Sequence, residues 1–538
     1  MRTGEKPTAQ SVWEEYQRGE RYNNAVELYD KVNRNENFMI GKQWEGVNAP
    51  DLPKPVLNIA KRVTAYFISM IVSDDVGVSV TPYGSDMEPF AKALEAEVSR
   101  VIELDDMRPK NREIVRNAAV DGDGFLYFYF DPDAPGGMDA RGRIRSEVVD
   151  NTRVMFGNPY SSDLQGQPYI LISQRRQTGA VRDEASANGV PEWERDRIEP
   201  DEDADRYGED KGDPDDLVTV VIRLWKDKNG EVWAMKSTQD VVIRKAWNLK
   251  YKRYPLAVMR WDKIKNSYHG QAAMTEIIPN QIQINQLFGM AIQSVKTNAF
   301  PRIFYDMSKI QNWTNRVGQA IGVAGNPNDA VASNFRGADM SAQVVQIIDS
   351  LTQKTMEFMG ASDSALGNVK PDNTSAIIAV QKAAAMPLEL QRMEFYRFFE
   401  DCVRVMVDII TTDYAPRPVR VETEDGAEVE QYIDYTMYDS ANLDLKVDVG
   451  AASYWSELMQ IQTLDNLFEK GILNDAVMYL EGIPDQYIKG KNKIIAKLKE
   501  RQQMAEEQAA AQMGAVPGGG AAAMPEMPAQ AGAGMPVG

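Results

Sequence analysis

The chain has 538 residues, 43% of them apolar and 26% charged, with a formal net charge of −19 and a single cysteine, Cys402. That length accommodates about three or four domains, and the acidic balance excludes a protein that grips nucleic acid through a generally basic surface, although a local basic ring or channel stays open. One cysteine excludes an intrachain disulfide and any multi-cysteine metal site. Cys402 sits among Phe398, Phe399, Val403 and Met406 and reads as a buried small hydrophobe.

Residues 11–42 carry Val12, Tyr16, Tyr22, Val26, Tyr29 and Val32, a spacing that predicts one amphipathic helix. Nothing before them resembles a secretory signal, and no run reaches the roughly 18 apolar residues of a membrane span. The expectation is a chain made and folded in a reducing cytoplasm. Phe38-Met-Ile-Gly-Lys-Gln-Trp44 leads into a polar loop and Pro55-Val-Leu-Asn58. A helix follows over 59–72, then a strand over 76–81. Residues 86–120 read as two helices broken near Asp105-Asp106 and Pro109. Asp121-Gly-Asp-Gly124 then feeds Phe125-Leu-Tyr-Phe-Tyr-Phe130, a strongly strand-prone run, with a return strand over 144–149.

From 153 to 261 the period is mostly two, predicting strands at 153–156, 169–173, 218–225, 231–236, 241–244 and 256–261. Residues 191–216 interrupt them with a dense run of Asp and Glu. Like charges repel when packed, so the run predicts a solvated or disordered loop, with a site for cations or a basic partner as the alternative.

The centre of the chain is helical. Ile277, Ile284, Phe288, Ala291 and Val295 mark one helix, and Val344, Ile348, Leu351, Thr355 and Phe358 a second. Between them, residues 299–340 exceed any ordinary helix connection. Trp313 there is either the core of a small subdomain or an exposed contact. A third helix, capped by Thr374 or Ser375, carries Val380, Ala384, Leu388, Phe395, Phe399, Val403 and Ile410. Over 375–413 it would span about 60 Å, with a kink expected at Pro387, where a backbone hydrogen bond is lost. Strand patterns return at 419–423, 428–435 and 443–449. Residues 451–503 are helical, and the Gly-, Ala- and Met-Pro-rich residues 504–538 are too low in complexity to bury a core.

The chemistry of enzymes finds little purchase. His269 is the sole histidine, so no multi-histidine zinc arrangement can assemble within one chain. Neither glycine-rich nucleotide motif occurs. Asp121-Gly-Asp-Gly124 resembles a fragment of a calcium loop but has Pro132 at the twelfth position, where the loop needs Glu; a turn feeding a strand is the expectation. A nuclease built on Asp and Glu alone is the one enzyme class that composition leaves open, and another capsid or scaffold component is the non-enzymatic alternative.

Several segments in order resemble the bacteriophage portal protein family, the head–tail connectors. Tyr268-His269-Gly270-Gln-Ala is similar to the opening of that family's first stem helix, and Asn298-Ala-Phe-Pro301-Arg-Ile to its exit into the clip. Gly360-Ala-Ser-Asp-Ser-Ala-Leu-Gly367-Asn followed by Asn373-Thr-Ser-Ala376 resembles the second stem helix passing through a tunnel loop into the long wing helix. Gly41-Lys-Gln-Trp44, Pro53-Lys-Pro-Val-Leu-Asn58 and Asp121-Gly-Asp-Gly124-Phe-Leu are similar to segments of the N-terminal wing. The resemblance spans roughly residues 35–500, and its specificity lies in the order of the segments.

The resemblance implies an α+β portal-type fold. Its parts are a mixed α/β wing (1–268), a two-helix stem (269–298 and 341–360) and a small α/β clip (299–340). A tunnel loop (361–374), a long kinked wing helix (375–413), wing strands (414–450), a helical crown (451–503) and the tail (504–538) complete it. It implies a non-enzymatic ring of about twelve identical chains in the virion, at one capsid vertex, with no cofactor and no membrane. Partners would be double-stranded DNA in the channel, the terminase packaging motor that supplies ATP hydrolysis, head–tail adaptor proteins and the major capsid protein. Twelve copies would carry roughly −230 charges, a field that keeps DNA off most of the surface so that it slides. Lys354, Asn368, Lys370 and Asn373 are the candidates for transient contact with DNA, and Arg302, Asn312, Trp313, Arg316 and Arg336 for docking the motor or an adaptor.

Overall fold

The computed structural model describes residues 7–72, 78–82, 88–137, 140–201, 217–299, 302–312, 321–326, 328, 332–335, 342–361, 386–422, 428–437, 445–449 and parts of 461–504. Two compact units emerge, Met1–Val421 with Glu430–Gly450, and Glu422–Val429 with Ala451–Gly538. Helices and antiparallel sheets occur together, so the class is α+β. No helix among the described residues is long and apolar enough to cross a membrane.

In the first unit, α1 (Ala9–Ala25) and α2 (Leu28–Ile40) replace the single helix expected over 11–42. Glu27 between them takes a left-handed φ of 55°. The break lets α1 lie against a sheet while α2 packs on other helices, two surfaces that one straight rod cannot reach. Helix α3 (Ile59–Ile71) is capped by Asn58, whose Oδ1 accepts from the Lys61 N–H at 3.0 Å. Strand β1 (Val78–Pro82) precedes α4 (Glu88–Leu104) and α5 (Met107–Asp121), which break at Asp106 (φ 51°), where the sequence placed the break.

Strand β2 (Asp123–Gly137) forms a long hairpin with β3 (Ala140–Val149). A second sheet runs β4 (Val154–Phe156), β5 (Ile170–Gln177), β6 (Leu217–Lys226), β7 (Val232–Ser237) and β8 (Val242–Asn248) in chain order, all antiparallel. Between β5 and β6 the chain forms α6 (Thr178–Ala187) and the short α7 (Glu192–Arg195). Helix α6 is absent from the period-two reading; its Val181 and Ala185 cover Val218 and Val220 of β6.

Strand β6 is covered on both faces, which explains its nearly unbroken apolar sequence. Val221 meets Val12 and Tyr16 of α1 on one side, while Ile222 and Leu224 enter the main core on the other. Its Arg223 is buried against α1: Nε donates to Glu15 Oε2 at 2.7 Å, and the guanidinium lies over the Tyr169 and Trp225 rings.

Strand β9 (Leu256–Arg260) joins β2 to complete the sheet β3-β2-β9, and β10 (Asp262–Lys263) pairs with β11 (Gly270–Gln271). Next come α8 (Ala273–Ala299), β12 (Arg302–Tyr305), β13 (Ala332–Phe335) and α9 (Ala342–Phe358). Helix α10 (Glu389–Asp413) buries Phe395, Phe399, Cys402, Val403 and Ile410 against the core, as its stripe predicts.

Of the 60 Å helix expected over 375–413, the described residues cover only the part from Met386 onward, so its length and its kink are not tested. Pro387 lies in a 3-10 turn, Met386–Leu388, and the α-helix starts at Glu389. A proline just before a helix costs little, since the first turn's N–H groups have no acceptor within the helix. Residues 375–385, with the proposed cap Ser375, lie outside the described set, as does Thr374.

Strands β14 (Arg417–Glu422) and β15 (Glu428–Ile433) pair, whereas β16 (Leu445–Val449) pairs with the distant β1. The described residues of the second unit are mainly helical, over 463–469, Ala476–Glu481 and 493–501. There Phe468 and Tyr479 lie with ring centroids 4.7 Å apart.

Candidate functional site

Helix α8 changes character along its length. Its first part buries Ile277, Ile278, Gln281, Ile284 and Asn285, whereas beyond Ala291 the residues are half-buried or exposed. Gln281 and Asn285 stand four apart and therefore share one face. Gln281 Oε1 accepts from the Ile59 and Ala60 N–H groups at 3.0 and 3.3 Å, and its Nε2 donates to the Leu57 carbonyl and to Asn285 Oδ1. Asn285 Nδ2 donates to Gln43 Oε1 at 2.6 Å, and Gln43 Nε2 donates to the Phe38 carbonyl at 3.0 Å.

This chain of amides ties both N-terminal motifs to the helix. Trp44 joins them further, its indole N–H donating to the Pro55 carbonyl at 2.8 Å. Gly289 completes the seat: a Cβ there would stand 2.7 Å from the Pro53 carbonyl oxygen. A cavity of about 470 Å³ opens beside the network, between α2, the Lys42–Val47 loop and α8.

The start of α8 is fixed by a second polar knot. Asp123 Oδ2 meets His269 Nδ1 at 2.6 Å, and its Oδ1 accepts from the Gly270 N–H at 2.6 Å. Tyr268 donates its hydroxyl to the Val154 carbonyl, and its own carbonyl accepts from Arg260 Nε at 2.7 Å. Gly122 stands at φ 101°, and a Cβ would meet the Gly270 carbonyl oxygen at 2.4 Å. The Asp-Gly-Asp-Gly run is thus a turn feeding β2, with both Asp123 oxygens committed to the segment that opens α8. Burial pushes the neighbouring Asp121 carboxyl up to about 8, more than Arg116 can offset. Among the described residues no group of three His, Cys, Asp or Glu is placed to hold a metal ion.

Helix α9 returns along α8. Its end rejoins the body: Leu351, Met356 and Met359 pack on the main core and Ala361 is part of it. Upstream, among the described side chains of α9, only Ile348 is buried. The helices carry exposed apolar side chains, Met290 and Val295 on α8, Val345, Ile347 and Phe358 on α9. Charge is sparse: Glu276 and Lys296 are the charged residues of α8, and Asp349, Lys354 and Glu357 those of α9. At the far end β12 and β13 pair antiparallel, with Ile310 buried and Phe304 and Met307 exposed.

Lys354 lies exposed on α9, whereas Asn368, Lys370 and Asn373 fall outside the described residues. Arg302 occupies β12 opposite Phe335, and Asn312 is exposed shortly after Ile310. Trp313, Arg316 and Arg336 also fall outside. The described residues thus include one member of the first predicted group and two of the second, and neither grouping is tested. Gln281 and Asn285, which with Gln43 of the Gly41-Lys-Gln-Trp44 motif hold α8 in place, were not singled out by sequence reasoning; amides within the apolar stripe of α8 were the available signal.

A larger cleft of about 1360 Å³ lies between the β2–β3 hairpin and the five-stranded sheet. Its charges pair with one another, as Lys236 with Glu184 at 2.8 Å, and with Asp201, which holds Arg175 at 3.2 Å. No family model and no curated protein matches this chain.

Proposed function

We propose that this chain is the subunit of a portal ring, a DNA conduit at one vertex of a viral capsid. A packaging motor would load the genome through it, DNA would later leave the same way, and the clip would seat the terminase and head–tail adaptors. The observation that carries the reading is the pair α8 and α9. They are seated in the body by a buried amide network, joined by a small strand pair, and bear large apolar side chains that stand exposed among the described residues. Large apolar side chains left exposed around both helices fit burial against other molecules, and a ring of identical chains supplies neighbours on both sides of every stem.

The surface chemistry suits a conduit. The polar residues of α8 are nearly all uncharged amides and hydroxyls, so DNA phosphates would meet few fixed cations there. Each phosphate contact adds affinity and salt dependence, and a conduit that must let DNA slide works with few of them. Lys354 is the described candidate for such a contact. Deleting a few residues around Lys370-Pro371, in the proposed tunnel loop, should leave assembly intact and impair packaging or retention of DNA; loss of assembly would refute that role. Mass measurement of the purified protein tests the ring itself: twelve chains of 60.3 kDa make a particle of roughly 720 kDa. A monomer at micromolar concentration, with Mg²⁺- or Mn²⁺-dependent nuclease activity that copurifies, would favour the nuclease reading instead.

A further inference from the structure

We infer that the cavity between α2, the Lys42–Val47 loop and α8 is a socket for Phe358 of the adjacent copy of this chain. This inference rests on the ring reading and adds the residues that would lock one subunit to the next.

A cyclic ring is built from heterologous contacts, so each chain must carry two different surfaces that fit one another. The socket is one such surface. Phe38, Trp44, Val47 and Ile282 give it apolar walls, and Asn285 and Gln286 give it a polar edge; at about 470 Å³ it has room for a bulky side chain with its neighbours. The projecting surface is the end of α9. Phe358 is 87% exposed, more than any other large apolar side chain among the described residues. Gly360 packs against Pro387, which brings the segment of exposed Met386 and Leu390 to the same place.

The two surfaces stand level along the stem. Phe358 is 16 residues beyond Ala342, where α9 leaves the clip, a distance of about 24 Å along the helix. Measured back the same distance from Ala299, α8 reaches the turn containing Ile282, Asn285 and Gln286. Rotation about a ring axis preserves height along that axis, so a stem running along the channel carries one chain's Phe358 to its neighbour's socket at matching height. The charges agree as well. Exposed Glu357 flanks Phe358, and exposed Arg34 and Lys42 stand at the socket.

Two single substitutions test the contact, Phe358→Cys and Val47→Cys, coexpressed on separately tagged chains; buried Cys402 stays in place and the unsubstituted protein reports its background. Oxidation of the mixed rings should give a disulfide-linked dimer containing both tags, and neither variant alone should give one. Rings that form from the mixture but yield no mixed dimer would overturn the socket and leave the ring reading standing. An unsubstituted protein that forms no ring would overturn both. As a second measurement, Phe358→Asp should leave the circular dichroism melt of the chain unchanged, because the side chain is exposed. It should raise the concentration for half-assembly by roughly 30-fold, the effect of losing a central interface anchor. Unchanged assembly would likewise refute the contact.

Discussion

Replacing Asn285 by Leu should loosen the seat of α8 without unfolding the body. Asn285 supplies the donor to Gln43 Oε1 at 2.6 Å and an acceptor for Gln281 Nε2 at 3.1 Å and, at the longer 3.4 Å, for the Leu57 N–H, and Gln43 is itself buried. Leucine is close in volume but leaves the Gln43 oxygen without a donor. That desolvated acceptor costs about 1–3 kcal/mol and each lost neutral bond about 1 kcal/mol net. Gln281 keeps its bond to the Leu57 carbonyl, so the total is about 2–4 kcal/mol. Felt as local opening of residues 41–60, this accelerates amide exchange there about 30- to 900-fold. Hydrogen exchange followed by mass spectrometry on peptides from that segment reads the change directly, with the β5–β7 peptides as an internal control. The double replacement Gln43→Leu with Asn285→Leu should recover much of the loss, because removing both partners leaves fewer orphans. A single variant that exchanges within about threefold of the parent would refute the network as the fastening of α8.

The buried Glu15–Arg223 pair gives a second test: Arg223→Ala strands a carboxylate against β6 and should cost about 3–5 kcal/mol in urea unfolding, whereas Glu15→Leu with Arg223→Met should restore stability near the parent value. Asp121 makes stability depend on pH. Its native carboxyl keeps a proton up to about pH 8, while the unfolded chain releases it near pH 4, so the native state binds more protons in between and stability declines across that window as pH rises. Asp121→Asn should flatten the decline and raise the urea midpoint more at pH 8 than at pH 5; a lower midpoint at pH 8 would contradict this account. Lys354→Glu, on the exposed face of α9, should leave assembly and melting temperature unchanged while reducing the DNA retained by packaged particles. Equal retention would remove Lys354 from the channel.

Periodicity made much of this fold legible. The stripe Phe395, Phe399, Val403 and Ile410 predicts the buried face of α10, and alternation places the strands of the five-stranded sheet within a few residues. Helix α6 was missed because its Thr-Gly-Ala-Val opening continues the β5 pattern, and only contact with β6 decides its conformation. The break at Glu27 carries no Gly or Pro; it follows from two helices packing on different partners. Pairing of β1 with β16 joins segments more than 300 residues apart, which no local pattern records. At the stem the helices were visible and their fastening was not: an amide in a helical stripe looks the same whether it faces water or, as Gln281 does, completes a buried ladder. His269 was placed at the opening of this helix by its sequence segment, but its partner was not legible there: it is locked to Asp123 at the base of α8.

Cryo-electron microscopy of the purified, full-length protein tests the central claim most directly. The account predicts closed rings of about twelve chains around an open channel, with α8 and α9 of neighbouring chains side by side along its wall. Monomers, open filaments, or rings whose channel is lined by the five-stranded sheet rather than by these helices would contradict it.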